Sequence, residues 1–190
     1  MNAKNWLVSL LLFLLVMSVF ASAQSHELAL TVGGQFPYNN QFDSGASFAV
    51  GATYAGRIIH VPLAALYFEL PVVVGPKSVL RLPSRSNYSS LFITPGLKLK
   101  LAPELPISPY FVGGIGYARF HQDSNALVAA QTVNKEVFDF GGGVDFKIAP
   151  FVSWRGEVRD FYSGLPSFNS LPDNGRQHNV VAQTGLVLRF

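Results

Sequence analysis

The stretch that decides the fold reads QHNVVAQTGLVLRF, Gln177 to Phe190. In an extended chain successive side chains point to opposite faces. Val180, Ala182, Thr184, Leu186, Leu188 and Phe190 therefore share one face, and Val181, Gln183, Gly185, Val187 and Arg189 share the other. The first face suits hydrocarbon, whereas the second carries Gln183 and Arg189 and does not. The alternation predicts a strand with lipid on one side and a polar, enclosed space on the other.

Seven further stretches upstream show the same alternation, each bounded by Pro, Gly, Asn or Ser, and no helical period is sustained anywhere between them. They run over His26 to Phe36, Gly45 to Ala55, Ile59 to Val74, Ser89 to Leu101, Pro109 to His121, Glu136 to Ile148 and Phe151 to Tyr162. In the first, Leu28, Leu30 and Val32 alternate with Glu27, Ala29 and Thr31; in the sixth, Phe138, Phe140, Val144 and Phe146 alternate with Asp139, Gly141, Gly143, Asp145 and Lys147. Pro62 and Pro71 fall in the third stretch, where bulges or a shortened strand are expected because proline cannot donate to a ladder. The third is the least regular and the fifth places bulk on both sides, so the facing of both stays open. Connections are expected to alternate between short turns (Gly56 to Ile58, Ala102 to Ser108, Ala149-Pro150) and longer loops, including Gly75 to Tyr88 and Gln122 to Lys135.

Composition narrows the class. The chain has 190 residues, 49% of them hydrophobic and 13% charged, which excludes a disordered chain. It has no cysteine, so neither disulfides nor thiolate metal sites are available, and a net charge of +3 spread along the chain argues against nucleic acid as a partner. Lys4, the apolar run Trp6 to Phe20 and Ala21-Ser22-Ala23 have the charged start, apolar middle and small-residue end of a secretory signal. Residues 1–23 are expected to be a signal peptide and residues 24–190 the exported domain.

Strands that face lipid must satisfy every backbone N–H and C=O among themselves, which requires closure into a barrel without edges. With an even number of strands both termini lie at the short-turn end, and the first strand pairs with the last. The inward charges are then Glu27, Glu69, Lys98, Lys100, Asp139, Asp145, Lys147, Arg155, Glu157, Arg159 and Arg189. An eight-stranded barrel is just wide enough for side chains to fill it, so these groups are expected to form a paired network. Tyr110, Trp154 and Phe190 near the turns, and Tyr54, Phe120 and Tyr162 near the loops, are assigned to two aromatic girdles. A soluble ligand-binding barrel would turn apolar residues inward, and the charged inner faces of strands four, six and seven speak against it.

Gln183, Gly185, Leu188 and Phe190 resemble the C-terminal insertion signal of bacterial outer-membrane β-barrels. Over its exported length the chain resembles the small eight-stranded family typified by the OmpA barrel and OmpX, with Tyr110-Phe111-Val112-Gly113-Gly114-Ile115-Gly116-Tyr117 as a Gly-aromatic motif. The resemblance implies an all-β, antiparallel, up-and-down transmembrane barrel in the cell outer membrane, assembled by the barrel-assembly machinery. It also implies a monomer among outer-membrane lipid and lipopolysaccharide, without the peptidoglycan-binding domain of full OmpA proteins. The expected role is structural or surface-interacting through the outer loops, with no catalysis and no cofactor.

Candidates for other chemistry are few. One barrel enzyme that deacylates lipid A uses a His-x-Ser-Asn motif and a later Glu; His121-Gln122-Asp123-Ser124-Asn125 is one residue too long for it, with Glu136 further on. Asp160, Arg176 and His178 read as a rim cluster, and Asp173-Asn174-Gly175 as a turn lacking the acidic series of a calcium loop. Lys77, Arg81 and Arg85 are a cationic set suited to lipopolysaccharide phosphates or an acidic partner. The alternatives to a surface role are a lipid A-modifying enzyme and a narrow pore.

Overall fold

A computed structural model describes residues 25–38, 45–80, 86–124, 129–165 and 175–190. The expected signal segment, Arg81 and Arg85 lie outside the described residues, as does the side chain of Lys77. The strands are β1 (His26–Tyr38), β2 (Ser47–Val61), β3 (Ala64–Leu80), β4 (Ser86–Ile93), β5 (Gly96–Leu101), β6 (Ile107–Gln122), β7 (Gln131–Ala149), β8 (Val152–Gly164) and β9 (Arg176–Arg189). Every pairing is antiparallel. β4 and β5 both pair with β3 on one side and β6 on the other, so together they are one span, and the sheet is a closed barrel of eight spans.

The interruption of the fourth span has a local cause. Pro71 in β3 and Pro95 between β4 and β5 stand at nearly the same level of adjacent spans, and neither has an N–H to donate. The ladder skips this level, the Thr94 N–H donating to Pro71 O at 3.4 Å and Ile115 N–H to Pro95 O at 3.2 Å. β3 itself runs unbroken from Ala64 to Leu80 through Pro71 without a register shift there, and Pro62 falls in the preceding turn, so the bulge or shortening expected at those prolines does not occur; the break falls instead in the neighbouring span, read as continuous in the sequence.

The seam joins the chain ends. β1 pairs with β9 from Glu27 opposite Arg189 to Tyr38 opposite His178, and beyond Glu27 the backbones of His26 and Phe190 exchange two hydrogen bonds of 2.9 and 3.0 Å. The two strands approach closely because Gly33 and Gly185 lack a Cβ: one built on Gly185 would run into Leu30 O, and one on Gly33 into Ala182 O.

Both chain ends share the end of the barrel that carries the tight connections Pro62-Leu63, Ala102–Pro106 and Pro150-Phe151. The first of these lies further along than the sequence suggested. A register shift between Arg57 and Ile59 lets β2 continue through the expected Gly56–Ile58 turn to Val61. At the opposite end the strands also outrun the expected loops. β3 and β4 pair as far as Leu80 opposite Ser86, past a bulge at Pro76-Lys77, and β6 and β7 as far as Gln122 opposite Gln131.

Outward residues form an apolar belt, with Leu30 60%, Phe111 62% and Ile115 62% exposed alongside Leu28, Phe68, Phe140, Val158 and Leu186. So much bare hydrocarbon around the whole circumference belongs in lipid. No helix among the described residues is long and apolar enough to cross a membrane.

Candidate functional site

The lumen is filled in two zones. Toward the short-turn end lie ten buried charges: Glu27, Glu69, Asp139, Asp145 and Glu157 against Lys98, Lys100, Arg155, Arg159 and Arg189. The sets balance at five each. Taking a charge out of water is tolerated only with partners at good geometry, and a neutral total avoids a net buried charge. Glu27 accepts from Lys98 and Lys100, at 2.5 Å each, and from Arg155 at 3.3 Å. Asp145 takes Arg155 through two bonds of 2.8 and 3.0 Å and Lys100 at 2.5 Å. Arg159 bridges Glu69, Asp139 and Glu157 at 2.6, 2.8 and 3.0 Å. Arg189 sits at the margin, 3.7 Å from Glu27 and 3.8 Å from Asp145.

Lys147 departs from the expected set. It shares the parity of Asp145 but is exposed, because it sits where β7 leaves the barrel beside a register shift, its N–H already donating to Pro106 O of the neighbouring turn. A lysine head placed there reaches the water of the rim.

β6, whose facing the sequence left open, turns Tyr110, Val112, Ala118 and Phe120 inward and Phe111, Ile115 and Tyr117 outward. Gly114 and Gly116 sit on the inward parity, where a Cβ on Gly116 would meet Ile93 O. Two girdle assignments are thereby overturned. Tyr110 is buried in the lumen, donating to Glu157 at 2.7 Å with the Arg155 guanidinium 4.8 Å from its ring, and Phe120 is buried in the loop-side core. Tyr54 does face outward, but its partner Leu28 places it at the short-turn end, where its hydroxyl meets His26 Nδ1 at 2.8 Å and the His26 ring also stacks on Phe190 at 5.8 Å. Trp154 and Phe190 are exposed at that same end, and Tyr162 is on the outer wall at the loop end.

The loop-side half of the lumen holds an uncharged, aromatic-centred cluster, which the charge pattern did not foreshadow. Phe92 stacks on Phe161 at 4.7 Å and meets Phe120 edge-on at 5.8 Å, with Tyr88, Val73, Val137 and Val181 around them. Along the β1 and β9 wall an amide chain runs beside this cluster: Ser90 donates to Gln35 at 3.0 Å, and Gln177 and Gln35 donate to Asn179 at 2.7 and 3.5 Å. The signal was present in Phe92, Phe161 and Val181, which share parity with inward charges on their own strands. What the sequence lacked was the axial level that brings them together.

The terminal strand divides its proposed signal between both faces. Gln183 is buried, accepting from Thr31 at 3.0 Å and donating to Glu157 at 2.9 Å; Gly185 permits the seam; Leu188 and Phe190 face outward.

The deacylase-like residues do not converge. His121 faces outward at the end of β6 and bonds Thr132 Oγ1 at 2.9 Å, whereas Glu136 stands opposite Tyr117. Four strand residues separate the two levels, roughly 13 Å at the usual rise. Ser124 is exposed beyond the strand end, and Asn125 lies outside the described residues. By contrast the rim cluster is assembled. His178 Nδ1 lies 2.5 Å from Asp160 Oδ2, its ring packs on Tyr162 at 4.7 Å, and the Arg176 guanidinium lies 5.2 Å from the Tyr162 ring.

The closed ring of eight antiparallel spans, the apolar exterior and the interior filled by a charge network and an aromatic cluster define a small β-barrel of the kind found in outer-membrane proteins. Comparison with solved structures agrees. The chain is similar to Neisserial surface protein A, with a TM-score of 0.66 at 14% identity over 87% of this chain and 97% of that one. It is also similar to OprG from Pseudomonas aeruginosa (0.56, 12%, covering 88% and 97%) and to the outer-membrane enzyme PagL (0.55, 18%, covering 83% and 97%). No family model and no curated sequence matches it. The fold is therefore shared with a surface protein, an outer-membrane protein and an outer-membrane enzyme.

Proposed function

We propose that the protein is an integral outer-membrane barrel that works by binding at its cell-surface end, without conducting solutes and without catalysis. The observation that carries this reading is the filled lumen: among the described residues a neutral charge network occupies one half and a stacked aromatic core lies in the other. The separation of His121 from Glu136 supports the non-enzymatic part. The long β3–β4 and β6–β7 hairpins, which carry the outer connections away from the belt, support the surface role. Short turns and chain ends face the periplasm in this reading, the signal segment directs export, and the terminal strand is read by the assembly machinery.

Within it, Lys77, Arg81 and Arg85 supply a cationic contact for an acidic surface partner. Purified protein in planar bilayers is expected to give no conductance above leak and to release no fatty acid from lipid A. A steady channel or acyl release would replace this reading with the pore or the enzyme. Triple charge reversal of Lys77, Arg81 and Arg85 is expected to weaken binding to heparin-like polyanions, and unchanged binding would remove that contact.

A further inference from the structure

The cluster around Tyr162 is unlike the rest of the outer wall. Below it the lipid-facing surface of β7, β8 and β9 is largely apolar, with Phe138, Phe140, Val158 and Leu186 in the belt. Asp160 interrupts it, directly opposite Phe140, and its carboxylate accepts from His178 Nδ1. With Nδ1 on Asp160, Nε2 of the half-buried His178 ring is directed away from it. Beside the ring lies Tyr162, and against Tyr162 lies Arg176. Next to them a cavity of about 470 Å³ opens on the outer wall at the loop end, with Phe138 and Tyr162 on its apolar side and Lys135, Arg176 and Glu136 among its charged lining.

We propose that this groove binds a phosphorylated glycolipid of the outer leaflet, lipid A with its phosphates, and that Arg176 and His178 hold one phosphate. The inference rests on the outer-membrane reading. Each part of such a lipid meets its chemical complement. A phosphate takes charge-assisted hydrogen bonds from the Arg176 guanidinium, and the His178 ring, held by Asp160, lies beside it against Tyr162. An acyl chain continues down the apolar wall over Phe138, Phe140 and Val158. The Glu136 carboxylate repels a second anion but accepts from the sugar hydroxyls and amide N–H groups of a glucosamine backbone, which a plain phosphatidylglycerol lacks. Asp160 is thus a positioning residue for His178, and its place on an otherwise largely apolar wall is accounted for.

The test is native mass spectrometry of the folded, purified barrel titrated with bisphosphorylated lipid A, dephosphorylated lipid A and phosphatidylglycerol. Wild type is expected to bind the bisphosphorylated form about tenfold more tightly than the dephosphorylated one, as one lost charge-assisted contact set implies. Arg176→Gln combined with His178→Gln is expected to abolish that preference while heat-modifiable gel mobility reports an unchanged barrel. Glu136→Gln is expected to narrow the preference for lipid A over phosphatidylglycerol. Equal binding of all three lipids by wild type, or wild-type binding by the double variant, overturns the proposal, as does acyl release that is lost in His178→Gln. Charge reversal at Lys77, Arg81 and Arg85 should leave lipid A binding at this groove unchanged, so loss of polyanion binding and loss of lipid binding report on different surfaces.

Discussion

Glu27 is the residue on which the short-turn half of the lumen depends, since Lys98, Lys100 and Arg155 all donate to its two oxygens. Glu27→Gln keeps the volume but leaves five cations against four carboxylates. Breaking a buried pair from one side costs about 3–5 kcal/mol, and the expected outcome is a lower urea midpoint for barrel unfolding in detergent. An unchanged midpoint would mean the three cations find other acceptors at no cost. Lys147→Gln serves as the contrast. Because that side chain is already in water at the rim, the substitution is expected to shift stability by less than about 0.5 kcal/mol. The sequence assigned both residues to one network by parity alone. Parity tells which face a residue leaves from and says nothing of how far along the axis the enclosed space extends.

Among the elements, β9 combines packing with closure. Deleting Phe190 removes its two backbone hydrogen bonds to His26 as well as the ring stack, whereas Phe190→Leu keeps the backbone bonds. If the terminal aromatic ring is read during assembly, Phe190→Leu is expected to lower outer-membrane assembly in cells while refolding into detergent stays near wild type. Equal losses in both would mean that the ring acts through packing alone. Gly185→Ala is expected to impair both, because its methyl group collides with the backbone of β1; overpacking of this kind costs about 1–3 kcal/mol and should appear as a loss of the heat-modifiable folded band. The fourth span shows the limit of reading strands singly. Its alternation is clear on both sides of Pro95, yet its ladder breaks because Pro71 in the adjacent strand reaches the same level.

For the whole molecule the proposed closed lumen rests on two filled zones in series. Phe92→Ala with Phe161→Ala empties the loop-side core, at a cost of about 3–5 kcal/mol per ring, and lowers the unfolding midpoint accordingly. Conductance is nevertheless expected to stay at leak, since the charge network still fills the other half. A steady current in the double variant would show that the aromatic layer alone closes the barrel.

Strand existence, the inward and outward faces of six spans, and the pairing of first with last were legible in the chain, because side-chain alternation and the demand to bond every backbone group in lipid are local or topological rules. Ten of the eleven inward charges followed from the same alternation. Register required the three-dimensional closure. It decided that Tyr110 and Phe120 turn inward on glycine-rich β6, that Tyr54 belongs to the short-turn end, and that Phe92, Phe161 and Phe120 meet across the lumen. It also brought Asp160, Tyr162, Arg176 and His178 together on the outer wall. Alternation has a period of two and repeats at every level, so it cannot encode height along the barrel. Only the closed set of cross-strand pairs, with its bulges and its shared proline break, sets that height.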